Sequence, residues 1–102
     1  MVLQQKEPEV ELRNEDTENM LVYPNPGRGD RFMLVIENAK SDAYELRITD
    51  QLGRTIESSF NVNLKSSPIS EMILNQKLTN GIYYIHVISD QGHQLLPWIV
   101  AE

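Results

Sequence analysis

Two histidines, one run of acids and one adhesion-type tripeptide are the residues of this 102-residue chain that could do chemistry. His86 and His93 could serve as general bases or metal ligands, but only with partners. Acyl transfer needs a serine and an orienting carboxylate, and a zinc site needs a third ligand. No serine or carboxylate stands at a recognisable spacing from either histidine. No cysteine is present to act as a thiolate nucleophile or sulfur ligand. The ordinary reading is a half-exposed strand histidine at 86 and a turn histidine at 93. A zinc site would require the fold to bring both to a carboxylate. No glycine loop opens a helix, so no phosphate cradle is expected. The acids between residues 7 and 18 match no calcium loop. Arg28-Gly29-Asp30 spells a tripeptide that adhesion receptors read on displayed loops, yet all three are ordinary turn residues. The expectation is a non-catalytic protein with no metal and no cofactor.

Charge narrows the partners. The net charge is −6. Residues 1–19 carry six acids (Glu7, Glu9, Glu11, Glu15, Asp16, Glu18) against Lys6 and Arg13, which gives −4 and leaves −2 for residues 20–102. Such a chain has no electrostatic reason to bind nucleic acid or anionic lipid. No apolar run reaches the length of a membrane span, so membrane insertion is not expected. The N-terminus has neither the basic start nor the apolar core of a signal peptide. Residues 1–19 lack a sustained period and read as an acidic flexible leader or linker, with residues 20–102 as one folded domain.

The domain alternates with the two-residue period of strands. Met20 to Tyr23 reads as a short strand, stopped by Pro24-Asn25-Pro26, where two prolines remove backbone donors. Gly27 and Gly29 then let the chain reverse. In Arg31–Glu37, Phe32, Leu34 and Ile36 share a face. In Ala43–Asp50, Tyr44, Leu46 and Ile48 face inward, and Glu45, Arg47 and Thr49 face water. Asp50-Gln-Leu-Gly53 reads as a turn. Arg54 to Leu64 reads as a weaker strand with Ile56, Phe60, Val62 and Leu64 apolar, broken by Ser58, where a bulge fits. Ile69 to Leu74 is another short strand. About seven short strands separated by turn signals, with no helix and no gap long enough for a parallel crossover, give an all-β antiparallel sandwich.

The terminal hairpin concentrates the apolar and aromatic mass. Gly81 to Asp90 is one strand, Gln91-Gly92 the turn, and His93 to Val100 the return. Leu96, Trp98 and Val100 are expected on the core face. Pro97 requires an edge position or a bulge. The segment Leu96, Pro97, Trp98, Ile99 and Val100 therefore reads as both core and a candidate docking edge for a partner strand.

Three stretches in order resemble a known family. They are Val22-Tyr23-Pro24-Asn25-Pro26 followed by Gly29-Asp-Arg-Phe32, then Ile48-Thr-Asp50-Gln-Leu52-Gly53-Arg54, then Leu78-Thr-Asn-Gly81-Ile-Tyr83. Together they are similar to the type A C-terminal sorting domain of the type IX secretion system of Bacteroidetes. The resemblance spans residues 20–100. It implies an immunoglobulin-like β-sandwich that is not an enzyme. Such a domain directs an attached upstream cargo from the periplasm, through shuttle proteins and an outer-membrane translocon, to the cell surface or the medium. For many cargoes a cell-surface sortase then removes the domain and attaches the cargo to a lipopolysaccharide anchor. By the same resemblance Pro24, Asn25 and Pro26 build the first corner and Gly29 its exit. Leu52 and Gly53 form the middle turn. Gly81 and Tyr83 start the penultimate strand. Residues 1–19 correspond to the linker where such domains are cut. The final strand departs from the pattern, with Leu95-Leu-Pro-Trp-Ile-Val100 where relatives carry lysines. The alternative reading is an adhesion or carbohydrate-binding sandwich using Tyr84 and Trp98 as exposed aromatics.

Overall fold

Burial alternates residue by residue along 31–37 and 43–48, with an apolar side chain inside at every second position. The computed structural model describes residues 17–63 and 67–102. Its strands are β1 (Asn19–Tyr23), β2 (Arg31–Glu37), β3 (Ala43–Asp50), β4 (Thr55–Asn63), β5 (Ile69–Ile73), β6 (Gly81–Ser89) and β7 (Gly92–Val100). They form a three-stranded sheet, β1-β2-β5, and a four-stranded sheet, β4-β3-β6-β7, antiparallel throughout. Consecutive strands switch sheets after β2, β4 and β5. This gives the strand order of an immunoglobulin-like sandwich. No helix occurs among the described residues.

The core is the sum of the inward faces. Phe32, Leu34 and Ile36 of β2 meet Tyr44, Leu46 and Ile48 of β3, Tyr83, Ile85 and Val87 of β6, and Trp98 and Val100 of β7. Each fully buried large aliphatic or aromatic side chain contributes about 1.5–3 kcal/mol. The Trp98 and Phe32 rings join the two sheets, with centroids 5.1 Å apart and planes tilted by 59°.

The hairpin turn and Thr49 differ from the sequence expectation, while a bulge falls at Ser58, where the sequence allowed one. The hairpin turn is Asp90-Gln91, one residue earlier than expected, because Ser89 pairs with Gly92. Gly92 takes φ 146° at its exit. The bulge falls where Ser58 interrupts β4: Leu46 pairs with Phe60 but Ile48 with Glu57, so β4 spends an extra residue. That shift turns Glu57 inward, where it is buried. Its Oε2 accepts from the Asn75 N–H at 2.9 Å and ties β4 to the loop after β5. Thr49, expected to face water, is buried on the outer face, bonded to His86. The side chain of Phe60, and Leu64, lie outside the described residues.

At its entry the chain is held by Glu18, which accepts from the Tyr44 hydroxyl and from the Lys40 N–H. Most of the acidic leader, residues 1–16, lies outside the described residues.

Candidate functional site

The strand directions put one end of the sandwich in charge of all three motifs. β1 ends there at Tyr23 and β2 begins there at Arg31. β3 ends at Asp50, β6 begins at Gly81, and β7 ends at Val100. The register joins these ends: Arg31 faces Ile73, Asp50 faces Tyr83, and Gly81 faces Val100. Stretches up to 70-odd residues apart in sequence therefore meet at one pole.

The first motif closes the last strand. Both Tyr23–Pro24 and Asn25–Pro26 peptide bonds are cis. The corner they make lies along the outer edge of β7. Asn25 Nδ2 donates to the Pro97 carbonyl at 3.0 Å, and its Oδ1 accepts from the Ile99 N–H at 2.9 Å. The side-chain amide thus stands in for a neighbouring strand. Gly27 continues the ladder, donating to the Ile99 carbonyl at 2.8 Å and accepting from the Ala101 N–H at 3.0 Å. The indole Nε1–H of Trp98 donates to the Pro24 carbonyl at 3.0 Å. A Cβ on Gly27 would lie 2.7 Å from that indole nitrogen, which is why the position is bare.

The second motif is a self-contained turn. Asp50 Oδ1 accepts from the N–H groups of Leu52 and Arg54, each at 2.9 Å, and Oδ2 accepts from Arg54 Nε at 2.7 Å. Gly53 sits at φ 85°. Desolvation pushes the Asp50 carboxyl up, but the bonds from the Arg54 N–H, the Arg54 side chain and the Leu52 N–H, with the Arg54 charge, hold it below the usual carboxylate range. A carboxyl depressed in the folded state contributes stability above its unfolded pKa and loses it as pH falls through the folded value. The stability gap between the wild type and Asp50→Asn is therefore full above the ordinary aspartate pKa of 3.8 and closes below it. Urea denaturation of both proteins across that range measures the gap.

The third motif anchors the entry to β6. The Tyr83 ring is buried and its hydroxyl donates to the Thr79 carbonyl at 2.8 Å, a tyrosine corner of the immunoglobulin-like type. Leu78 donates its N–H to the Gly29 carbonyl at 2.8 Å, which links the third motif to the first.

Most motif residues are thus consumed in building the pole. Among the large side chains that remain outward are Leu52, 78% exposed at the tip of the turn, Arg54 beside it, Tyr23 at the first corner and Ile82 at the start of β6. Between the Asp50–Arg54 turn and Asn80–Tyr83 lies a shallow depression of about 230 Å³. The fold needs nothing from the Leu52 side chain, because Asp50 and Gly53 already set the turn.

The edge expected to accept a partner strand is occupied in part. The first corner takes the outward hydrogen-bonding groups of Pro97 and Ile99. By alternation the outward groups of His93 and Leu95 are the ones no bond closes among the described residues. Trp98 is 0% exposed, so it cannot stack on a sugar, and the carbohydrate-binding reading loses that residue. Tyr84 lies half-buried opposite Pro97. Arg28-Gly29-Asp30 is built into the corner: Gly29 is buried, and the Gly29 and Asp30 carbonyls accept from Leu78 and Leu74. The structure does bring His86 and His93 together, Nδ1 to Nε2 at 2.9 Å, which sequence spacing did not reveal. Only the strand register could have revealed it. Among the described residues no three His, Cys, Asp or Glu side chains are grouped to hold a metal.

Comparisons with known proteins bear on the same residues. No curated protein matches the chain significantly. The domain is similar in structure to part of PorZ, described as an essential bacterial surface component of the type IX secretion system of Porphyromonas gingivalis, with a TM-score of 0.55 and 21% identity. The match covers 81% of this chain and 11% of that one, a likeness of fold. A family model for the secretion system C-terminal sorting domain matches residues 21–101, from β1 to the residue after β7, and takes in all three motifs. The chain belongs to the family of secretion system C-terminal sorting domains.

Proposed function

We propose that this domain is a non-catalytic address that sends an attached cargo through the type IX outer-membrane translocon. The observation that carries the reading is the gathering of the three motifs and the last strand at one pole. Seven of the motif residues (Pro24, Asn25, Gly29, Asp50, Gly53, Leu78 and Tyr83), with Gly27 between two of them, spend their polar groups or their shape on building it. The pole presents a surface on which Leu52 is the most exposed large apolar side chain, with Ile73, Ile99, Tyr23 and Ile82 also exposed at this end and the open segment of β7 at Leu95 further along the same sheet as Leu52. Shuttle proteins and the translocon read this surface in the periplasm. A cell-surface sortase then acts on the leader side, residues 1–19. The final location is the outer-membrane surface or the medium. With no lysine or arginine after Lys77, the last strand carries no lysine, arginine or acidic side chain, so its recognition rests on shape and apolar contact.

The test is export of a reporter. A periplasm-directed reporter followed by residues 1–102 is expected to leave the cell in a host with an intact type IX translocon. It is expected to stay in the periplasm of a translocon-deficient host. Retention in both hosts would sink the proposal, as would export in both.

A further inference from the structure

We infer that His86 and His93 form a bidentate site for a late first-row divalent cation such as Zn²⁺ or Cu²⁺ on the outer face of the four-stranded sheet. The two residues lie on adjacent antiparallel strands. His86 is opposite Leu95 and His93 opposite Ile88, so the imidazoles are diagonal neighbours. Diagonal pairs are within reach of long and aromatic side chains. Here they converge until His86 Nδ1 and His93 Nε2 are 2.9 Å apart, with ring centroids at 5.1 Å and planes tilted by 44°.

That separation is close to what a chelate needs. Two metal–nitrogen bonds of about 2.0–2.1 Å at a tetrahedral angle set their nitrogens about 3.3 Å apart. A small outward rocking of the exposed His93 supplies the difference. The orientation of His86 is already fixed from behind. Its Nε2 lies 2.9 Å from Thr49 Oγ1. When Nε2–H donates to that hydroxyl, Nδ1 presents its lone pair toward His93. A partner on the far nitrogen that fixes tautomer and ring is the arrangement that supports metal-bound histidines. Thr49 is buried, so its hydroxyl is held in place.

The charges nearby act in both directions. Arg47 pairs in register with His86, and its charge opposes a second cation. Glu45 lies one row along on the same face, in register with Ile88. Two protein ligands leave open coordination positions, filled by water or by a group from a docked partner. Imidazole donors favour copper and zinc over magnesium and calcium.

The test titrates ZnCl₂ into the full 102-residue chain near pH 7.5 in a non-coordinating buffer, following imidazole nitrogen resonances by NMR. One equivalent of Zn²⁺ is expected to shift His86 and His93 together, with Mg²⁺ inert. His93→Gln, at an exposed position, is expected to weaken binding about a hundredfold by removing the chelate. Thr49→Val is expected to weaken it about tenfold while both histidines still shift. Amide spectra report whether each variant is folded, and His93→Gln keeps the test valid if Thr49→Val disturbs the sheet. The site is refuted if His93→Gln binds Zn²⁺ as tightly as the wild type. It is equally refuted if Zn²⁺ leaves the two imidazoles unshifted.

Discussion

Trp98→Ala is expected to destabilise the domain by about 3–5 kcal/mol, the cost of removing a fully buried aromatic and leaving a cavity. Trp98 is 0% exposed, packs on Phe32 across the two sheets and donates its indole proton to the first corner. Its loss therefore acts on the core and on the pole together. Small domains hold about 5–15 kcal/mol in total, so a large share disappears. For a domain of this size the melting temperature should fall by roughly 12–40 °C. Trp98→Phe separates the two roles. It keeps a ring against Phe32 but leaves the Pro24 carbonyl without its donor, at a cost of about 1–3 kcal/mol. Urea denaturation of the three proteins gives the values. A loss below about 1 kcal/mol for Trp98→Ala would contradict the burial on which the account rests.

Gly29→Ala is expected to be as damaging, and Gly53→Ala much less so, although both glycines have positive φ. Gly29 sits at φ 90° and Gly53 at φ 85°. Left-handed backbone costs an alanine roughly 1–2 kcal/mol at either position. The surroundings decide the rest. A Cβ at Gly29 would lie 2.5 Å from the Leu78 carbonyl oxygen and 3.0 Å from Val100 Cγ1, whereas one at Gly53 would meet nothing within 4 Å. The obstacle at Gly29 is backbone, so relief requires the first corner to move off the entry to β6. That movement breaks the bond from the Leu78 N–H to the Gly29 carbonyl. The expected losses are about 4 kcal/mol or more at Gly29 and about 1–2 kcal/mol at Gly53, where strain is the only term. Equal losses at the two sites would show that the pole is not packed as described.

The strands were legible in the sequence because each is a local pattern. Phe32, Leu34 and Ile36, or Tyr44, Leu46 and Ile48, declare their face within seven residues. The turn at Asp50–Gly53 and the corner at Pro24–Gly29 were legible for the same reason, since proline, glycine and aspartate act on their own neighbourhood. The hidden features are those that depend on register between distant segments. Nothing near Asn25 says that its amide will cap the edge of β7, because its two bonds span 72 and 74 residues. Glu57 faces inward only because β4 bulges beside it, and a bulge reverses every face beyond it. His86 and His93 meet only because Ser89 pairs with Gly92; a slip of one residue would have pointed them to opposite faces. Trp98 was assigned to the core by alternation and also offered as an exposed sugar platform, and the packing against Phe32 decides for the core.

The most direct test of the account compares two exposed turn positions at opposite poles. A reporter followed by residues 1–102 is made with Leu52→Asp at the motif pole, or with Gln91→Asp at the tip of the β6–β7 turn. Neither side chain is used by the fold, so both variants should melt within about 0.5 kcal/mol of the wild type. Export in a host with an intact type IX translocon is then measured as the fraction of reporter outside the periplasm. The account predicts that Leu52→Asp strands most of the reporter in the periplasm while Gln91→Asp is exported like the wild type. Export of a folded Leu52→Asp fusion at the wild-type level would contradict the claim that this pole is what the machinery reads.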